Sequence, residues 1–250
     1  MREMLYGRQA VRESLRAARR SPHRLLLSEG QTPLPIIDEI IELATAQRIA
    51  VNRSSRSELT RIVGHELHQG VALETSPYPY AATDEMLDRA TKQNRAPLIL
   101  LLDLIQDVHN LGSLIRTAEA VGVHGLVVQE RRAAGVTPAT VNTSSGASEH
   151  LLIAQVTNLP QEMERLKSHD LWIAGLEDDA SAQLYTDIDL TIPLALVVGS
   201  ESEGLRRLVR DRCDWIIRIP MWGQINSLNA AVAGSIALYE VMRQRNPAPN

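Results

Sequence analysis

Three segments of the chain place polar residues and glycines directly after an apolar run and before a helical pattern. They span residues 103–118, 197–205 and 219–234. In an α/β fold, ligands bind in the crevice outside the carboxyl ends of the strands. The three segments are therefore the candidates for a binding or catalytic site.

The first segment carries Asn110 and Arg116. Asparagine is a favoured N-cap, so Asn110 is predicted to start a helix. Arg116 lies in the second turn of that helix, among Leu114, Ile115 and Ala118, and an arginine in an otherwise apolar helix requires a polar partner. That partner is either an acid in a surface ion pair or a group bound at the site.

The second segment combines Gly199 with Glu201 and Glu203. A glycine directly after a strand lets a ligand approach the backbone closely, and the N-terminus of the next helix offers free N–H groups. The two glutamates would repel a phosphate, but they are compatible with a neutral or cationic ligand such as a sulfonium. Alternatively, they only complement the dipole of the following helix.

The third segment leads from an apolar run into a helix that is rich in alanine and glycine. Asn226 or Ser227 could cap this helix, and its small residues imply close packing against another element. Asn229 is predicted to lie one turn inside the helix, where it has no evident structural role. It is therefore a candidate for the chemistry of the site.

Other patterns exclude several classes of enzyme. His65 and His68 resemble a zincin motif, but they are three residues apart, whereas H-E-x-x-H places its histidines four apart. The single cysteine, Cys213, provides no thiolate cluster for zinc, so no metal site is expected. Neither the G-x-S-x-G nucleophile elbow nor the G-x-G-x-x-G dinucleotide fingerprint is present.

Alternating apolar runs and helical patterns predict an α/β fold in two domains. Continuous apolar runs in the C-terminal half are typical of strands buried on both faces of a parallel sheet. They lie near residues 98–104, 125–129, 171–176, 194–198 and 215–219. We predict a small α/β domain over residues 1–76, a proline-containing linker over 77–94 and a catalytic domain over 95–250.

Charge is distributed unevenly along the 250 residues, whose formal net charge is −4. Residues 1–24 hold seven arginines and two glutamates, which gives this segment a charge of +5. Such a segment is either a solvated helix face or a surface that contacts phosphates. The chain shows no signal-peptide core and no apolar run long enough to span a membrane, and a single cysteine suits a reducing compartment. We therefore expect a cytoplasmic protein without a membrane partner.

Taken together, the three segments resemble the SpoU family of S-adenosylmethionine-dependent RNA ribose 2′-O-methyltransferases. The first family motif is similar to Asn110-x-Gly112-x-x-x-Arg116-Thr117-Ala118. The second is similar to Gly199-x-Glu201-x-x-Gly204-Leu205, and the third to Ile219-Pro220-Met221 followed by Ser227-Leu228-Asn229. All three occur in the family's order and at its spacing, so the resemblance is specific.

The resemblance extends into the N-terminal half. Tyr6-Gly7 and His68-Gln69-Gly70 resemble the RNA-binding domain of the branch that acts on ribosomal RNA. Ser144-x-Gly146-Ala147 resembles a small-residue segment of the family, and Asn142 stands where the family usually has a basic residue. The likeness therefore covers nearly the whole chain.

The resemblance implies a trefoil-knotted catalytic domain on a parallel sheet, a preceding RNA-binding domain and a homodimer. It implies S-adenosylmethionine as the cofactor, held through backbone groups of Gly199, Ile219 and Leu228. The residues that it implies at the pocket and the ribose are Asn110, Glu201, Ser227 and Asn229. Arg116 is the residue that the family associates with activating the hydroxyl; we assign it to the adjacent phosphate and the developing alkoxide.

The expected partner is RNA and not DNA, and the strongest likeness is to enzymes that methylate a guanosine ribose in 23S ribosomal RNA. Two alternatives stay open: 2′-O-methylation of transfer RNA or of another ribosomal RNA site, and an RNA-binding assembly factor without activity. The presence of Arg116, Glu201 and Asn229 argues against an inactive protein. The separate N-terminal domain favours an RNA larger than transfer RNA.

Overall fold

A computed structural model describes residues 2–30, 33–200, 203–224 and 227–246. The chain folds into two compact units. The first unit comprises Met1–Pro79 and Val136–His150, and the second comprises Tyr80–Gly135 and Leu151–Asn250. The first unit thus takes up a segment that is inserted in the sequence of the second.

The elements alternate between strand and helix along the chain. In order they are β1 (Glu3–Tyr6), α1 (Arg8–Ala17), β2 (Pro22–Ser28), α2 (Pro35–Ala46), β3 (Ala50–Ser54), α3 (Arg56–Val63), β4 (Val71–Thr75), α4 (Thr83–Lys92), β5 (Leu98–Asp103), α5 (Val108–Ala120), β6 (Gly125–Gln129), α6 (Pro138–Thr143), a 3₁₀ turn (Ala147–Glu149), β7 (Ile153–Val156), α7 (Leu159–Lys167), β8 (Trp172–Leu176), β9 (Gln183–Leu184), β10 (Leu194–Gly199), α8 (Arg207–Arg210), β11 (Trp215–Arg218) and α9 (Ala230–Arg245).

The first unit contains a four-stranded sheet in the order β1-β4-β2-β3. β2 and β3 pair in parallel, and the pairs that β4 makes with β1 and β2 are antiparallel. Leu26 and Ala72 project from one face of this sheet onto Leu59 of α3. β3 forms an edge, and its residues are exposed except Ser54.

The second unit contains a seven-stranded sheet in the order β7-β6-β5-β10-β8-β11-β9, and its named strands pair in parallel. Every residue of β5, β6 and β10 is buried, because helices cover both faces of such a sheet. Ile99, Leu101, Val127, Ile173 and Val197 belong to one core cluster. The predicted α/β class with a parallel sheet is thereby confirmed, whereas the trefoil knot stays a prediction.

The structure differs from the sequence prediction at several elements. The helix expected after the second segment is only the short α8, and the helix of the third segment, for which Asn226 or Ser227 was the expected cap, begins at Ala230. In the C-terminal half, β7 and β9 lie outside the predicted apolar runs, and α4 lies within the predicted linker over residues 77–94. Within the described residues, no helix is long and apolar enough to cross a membrane.

Candidate active site

A cavity of about 260 Å³ lies at the carboxyl ends of β8, β10 and β11, three neighbours in the sheet. Its lining includes four of the residues that the sequence analysis selected: Gly199, Ile219, Ser227 and Leu228. The second and third segments therefore meet at one site, as their positions after strands predict.

The walls of this cavity combine apolar side chains with acids. Leu176, Val198 and Met221 line it together with Glu177 and Asp178, and none of its described lining residues is basic. Arg210 forms ion pairs with Glu177 at 3.2 Å and with Asp179. Hydrogen bonds from Ser181 and Arg210 lower the pKa of Asp179 to about 2, so this carboxyl is ionised at neutral pH.

Gly199 is required by the chain's own backbone. A Cβ at this position would lie 2.3 Å from the backbone carbon of Gly204 and 2.7 Å from the nitrogen of Leu205. The cause is a narrow loop, in which Ser200 and Gly204 form an antiparallel bridge with backbone hydrogen bonds of 3.0 and 3.1 Å. Glycine is therefore needed at position 199 for the packing of this loop, in addition to the expected close approach of a ligand. Glu201, selected from the sequence, lies outside the described residues.

An ion pair between a buried aspartate and a partly exposed arginine, not selected from the sequence, ties this loop to the sheet. Asp103, which is fully buried at the end of β5, accepts hydrogen bonds from the backbone N–H of Arg206 at 2.9 Å and from its Nε at 2.8 Å. Gln129 accepts from the same guanidinium at 3.3 Å and from the Leu104 N–H at 3.1 Å. Asp103 belongs to the first segment, and Arg206 follows the second. The sequence signal that could have predicted this pair is an acid at the end of an apolar run, which requires a basic partner.

The first segment enters α5 differently from the prediction. The N-cap is Asp107, whose Oδ1 accepts a hydrogen bond of 2.8 Å from the Asn110 N–H. The prediction that Asn110 caps the helix is therefore wrong, because an aspartate three residues earlier performs that role. Arg116 is exposed on α5, and neither Arg116 nor Asn110 is among the described lining of the cavity.

Asn229 is the N-cap of α9, and the prediction that it lies one turn inside the helix is wrong. Its Oδ1 accepts hydrogen bonds from the backbone N–H groups of Ala231 at 2.9 Å and Val232 at 3.2 Å. Its Nδ2 donates to Asn110 Oδ1 at 3.0 Å. Asn229 thus joins the first and third segments. The Asn110–Asn229 pair lies beside the cavity, because Leu228 and Ala230, on either side of Asn229, line it.

The small residues of α9 pack within the same chain. A Cβ at Gly234 would lie 2.7 Å from Leu114 Cδ2 of α5 and 3.0 Å from Val198 of β10. Thr117 and Ser235 also share a hydrogen bond of 2.9 Å between α5 and α9. The close neighbour that the alanine and glycine run predicts is therefore α5 and the central sheet.

Cys213 is unsuited to nucleophilic catalysis. Burial raises the pKa of its thiol to about 12, and only the thiolate is a strong nucleophile. Among the described residues, no group of three or more histidines, cysteines or acids could hold a metal ion. His68 is buried, and its ring nitrogens contact Thr60 Oγ1 and the Gly70 N–H.

The two N-terminal signatures meet in the first unit. Gly7 donates its N–H to the Val71 carbonyl at 3.2 Å, and the Arg8 N–H donates to Gln69 Oε1 at 3.1 Å. Asn142 donates to the Tyr6 carbonyl at 3.1 Å, and a Cβ at Gly7 would lie 2.4 Å from Asn142 Nδ2. These residues therefore hold the turn between β1 and α1.

Most arginines of residues 1–24 are bound to acids within the first unit, which favours a structural role for this segment. Arg20 and Glu149 form a buried pair at 2.9 Å with side chains that are 1% and 0% exposed. The ion pairs are Arg2 and Arg24 with Glu74, Arg12 and Arg16 with Glu13 and Glu39, and Arg20 with Glu3 and Glu149.

Two family models match the sequence. The model described as the SpoU rRNA Methylase family matches residues 97–239, and the model described as RNA 2′-O ribose methyltransferase substrate binding matches residues 4–81. A curated relative, YacO of Bacillus subtilis, is assigned to the TrmH family of tRNA/rRNA methyltransferases. It is 42% identical over 246 residues, which cover 98% of this chain and 97% of YacO.

Solved structures of this family have the same fold. The SpoU methyltransferase AviRb from Streptomyces viridochromogenes, in complex with AdoMet, has a TM-score of 0.81 at 26% identity, over 98% of this chain and 90% of AviRb. The TrmH/SpoU tRNA modifying enzyme of A. aeolicus has a TM-score of 0.56 at 29% identity, over 64% of this chain and 84% of that enzyme. The arrangement of the three segments, both family models and the full-length relative agree that the chain belongs to the SpoU family of RNA methyltransferases.

Proposed function

We propose that this SpoU enzyme transfers a methyl group from S-adenosylmethionine to the ribose 2′-hydroxyl of a guanosine in 23S ribosomal RNA. The observation that carries the proposal is the cavity at the carboxyl edge of the sheet. It is lined by the second and third segments, and the Asn229–Asn110 hydrogen bond attaches the first segment beside it. The roles of the individual site residues belong to the same proposal.

The cavity suits S-adenosylmethionine. Its apolar walls, which include Leu176, Val198 and Met221, fit a planar base, and Glu177 and Asp178 complement a cationic sulfur. Backbone groups of Gly199, Ile219 and Leu228 would hold the cofactor at this edge. The bound cofactor supplies a methyl group that is already activated for in-line displacement.

The chain's contribution to the reaction is alignment and charge stabilisation. Asn110, Glu201, Ser227 and Asn229 would shape the pocket and orient the ribose, and alignment can contribute roughly 7–11 kcal/mol. Arg116, exposed on α5, would grip the phosphate next to the target ribose and stabilise alkoxide charge as it develops. A guanidinium group is always protonated in proteins, so a phosphate oxygen or water would accept the hydroxyl proton.

Ribosomal RNA is favoured over transfer RNA by the two-unit organisation. The tRNA modifying enzyme of A. aeolicus is similar over 64% of this chain, whereas the substrate-binding family model matches a further unit at residues 4–81. The additional substrate-binding unit suits an RNA whose recognition site is distant from the methylated ribose. Unpaired nucleotides of a structured loop would provide the sequence information.

Within the first unit, we propose that arginines near β3 contact RNA phosphates, in place of the arginines of residues 1–24. Arg48, Arg53 and Arg56 are exposed near β3, and within the described part of the chain they form no ion pair. Arg61 makes only a long contact of 3.8 Å with Glu58. When an arginine that is not paired with a protein acid binds a phosphate, it releases counterions from the RNA. An arginine that is already paired with glutamates adds less to the RNA affinity.

A homodimer is also proposed, through the outer face of α9. Val232 and Tyr239 are 47% and 51% exposed, and their spacing places them on one side of the helix together with Ile236. Gly234 packs within the chain, so the alanine and glycine run does not support a dimer. The dimer proposal depends on this apolar stripe. Aromatic and aliphatic side chains of this kind are typical of homodimer interfaces.

The test of the target is methylation of separate RNAs. Labelled S-adenosylmethionine and the protein are incubated with unmodified 23S rRNA, 16S rRNA or bulk transfer RNA, and the label is mapped. Label on a guanosine ribose of 23S rRNA alone is expected. Label only on transfer RNA would refute the target, and label on another 23S nucleotide would refute the guanosine.

A further inference from the structure

Trp222 is the most exposed large apolar side chain of the described residues. Its accessible fraction is 90%, compared with 48% for Trp172. The preceding residues Met221 and Ile219 line the cavity, and Leu228 lines it again where the chain approaches α9. Trp222 therefore directly follows a residue of the cavity lining, which places its backbone at the rim of the candidate active site.

Exposure alone does not identify a binding residue, because single apolar side chains are common on protein surfaces. The chain, however, has only three tryptophans, five tyrosines and no phenylalanine. Trp172 and Trp215 stack on each other with ring centroids 4.9 Å apart. Trp222 has no ring or cation–π contact within the described residues, and its exposure leaves both indole faces open to a planar ligand.

We propose that the indole of Trp222 stacks on an unpaired RNA base next to the ribose that is presented to the cavity. This inference rests on the proposed function. The cavity is taken by the cofactor, so the bases of the bound RNA remain outside it, at the rim where Trp222 lies. Proteins that recognise single-stranded RNA stack its bases on aromatic side chains.

The proposed role of Trp222 is to orient the RNA. Stacking tolerates different bases because each has a planar π-face, so Trp222 selects an unpaired nucleotide and not a particular sequence. The neighbouring Met221 faces the cavity, and consecutive residues of a chain are only about 3.8 Å apart. A base held by the indole therefore keeps its ribose near the cavity mouth.

Fluorescence tests the contact directly. In the Trp172→Phe/Trp215→Phe variant, Trp222 is the only tryptophan. Unmodified 23S rRNA transcript should quench its emission, whereas saturating S-adenosylhomocysteine should leave the emission unchanged. Quenching by S-adenosylhomocysteine, or no response to the RNA, would overturn the inference.

Kinetics test the consequence. Trp222→Ala should raise the KM for 23S rRNA about fivefold or more, the loss expected for one base stack, with kcat and the Kd for S-adenosylmethionine unchanged. Trp222→Phe should restore most of the affinity, because it retains a planar ring. The matched control is Trp172→Ala, at the amino end of β8, which should leave KM unchanged.

The outcomes separate this inference from the proposed function. An unchanged KM in an active Trp222→Ala enzyme would overturn the stacking role and leave the proposed function intact. Loss of the dimer in Trp222→Ala would assign the indole to a protein contact and overturn the inference. If the wild-type protein binds 23S rRNA without methylating it, the proposed function fails, and fluorescence still decides the stacking.

Discussion

Arg116 occupies an exposed position on α5, six residues beyond the hydrogen-bonded Asn110. Because it lies outside the described lining of the cavity, a role in cofactor binding is not expected. Its position on the helix that adjoins the site suits contact with the RNA. The distinction between the two roles can be measured.

Arg116→Ala should abolish methyl transfer and leave the affinity for S-adenosylmethionine nearly intact, because the lost interaction is with RNA phosphate and alkoxide charge. A radiolabel assay and calorimetry measure the two quantities. Arg95→Ala, another exposed arginine that precedes the amino end of β5, is the control and should stay active. Near-normal turnover of Arg116→Ala would contradict the proposed role.

His124 provides a prediction for stability at low pH. Desolvation by burial and the nearby Arg245 and Arg95 lower its pKa to about 4, below the ordinary value of about 6.5. Between these values the unfolded chain binds a proton that the folded chain does not, so the free energy of unfolding falls as the pH falls. At about pH 5 the loss from this group is about 1–2 kcal/mol.

His124→Asn should reduce this pH dependence, because asparagine does not titrate and its Oδ1 could accept the Leu98 N–H that now donates to His124 Nδ1. Thermal unfolding at about pH 5 and about pH 8 measures the difference in Tm for each protein. The exposed His23, changed to asparagine, is the control. Equal pH dependence in His124→Asn and the wild type would refute the assignment.

At the scale of elements, the N-terminus of α9 combines two functions in Asn229. Its Oδ1 caps the helix, and its Nδ2 donates to Asn110. Asn229→Ala removes both interactions and should lower the free energy of unfolding by about 1 kcal/mol, the usual loss for an N-cap. Asn229→Asp retains the cap but loses the donor.

Asn229→Asp should therefore keep its stability and lose methyl transfer, because a carboxylate would face the Asn110 oxygen. Chemical unfolding and a radiolabel assay measure the two quantities. Activity that follows stability, with Asn229→Asp fully active and Asn229→Ala impaired, would show that Asn229 acts only as a cap.

The elements that the sequence predicted best are those with a strong periodic signal. Gly125–Gln129 is predicted with its observed bounds, because a continuous apolar run in a parallel sheet admits few alternatives. β7 was missed because half of its four residues are exposed or half-buried and interrupt the apolar pattern. The start of α9 was misplaced because Ser227 and Asn229 are both plausible caps, and only the hydrogen bonds distinguish them.

The exposed arginines near β3 make a measurable contribution if they contact RNA. Arg53→Ala/Arg56→Ala should weaken RNA binding and reduce the slope of log K against log salt by about 1.4, the value for two lost phosphate contacts with single-stranded RNA. Binding measured at several salt concentrations gives the slope. Arg12→Ala/Arg16→Ala, which removes two arginines that are paired with acids, should change it little. A larger change of slope in Arg12→Ala/Arg16→Ala than in Arg53→Ala/Arg56→Ala would assign the RNA contact to residues 1–24.

At the scale of the whole molecule, sequence order and spatial organisation differ. Val136–His150 belongs to the first unit although it lies between β6 and β7 of the second. Within the first unit, this segment supplies Glu149, whose buried carboxylate pairs with Arg20. Composition cannot reveal that this segment belongs to the first unit, since Arg20 and Glu149 are separated by 129 residues. The domain boundaries at 76 and 95 accordingly remain a proposal.

The exposed apolar stripe of α9 is the surface through which we expect the protein to dimerise. The wild-type protein should sediment as a dimer, because Val232 and Tyr239, which are 47% and 51% exposed, form an apolar stripe with the half-buried Ile236. Tyr239→Asp should produce a monomer, since a charge buried without a partner at an interface is unfavourable. Leu208→Asp, a similarly exposed apolar position on α8 (54% exposed), is the control and should remain dimeric. A stable and fully active wild-type monomer would contradict the interface, and a dimeric Tyr239→Asp variant would locate it elsewhere.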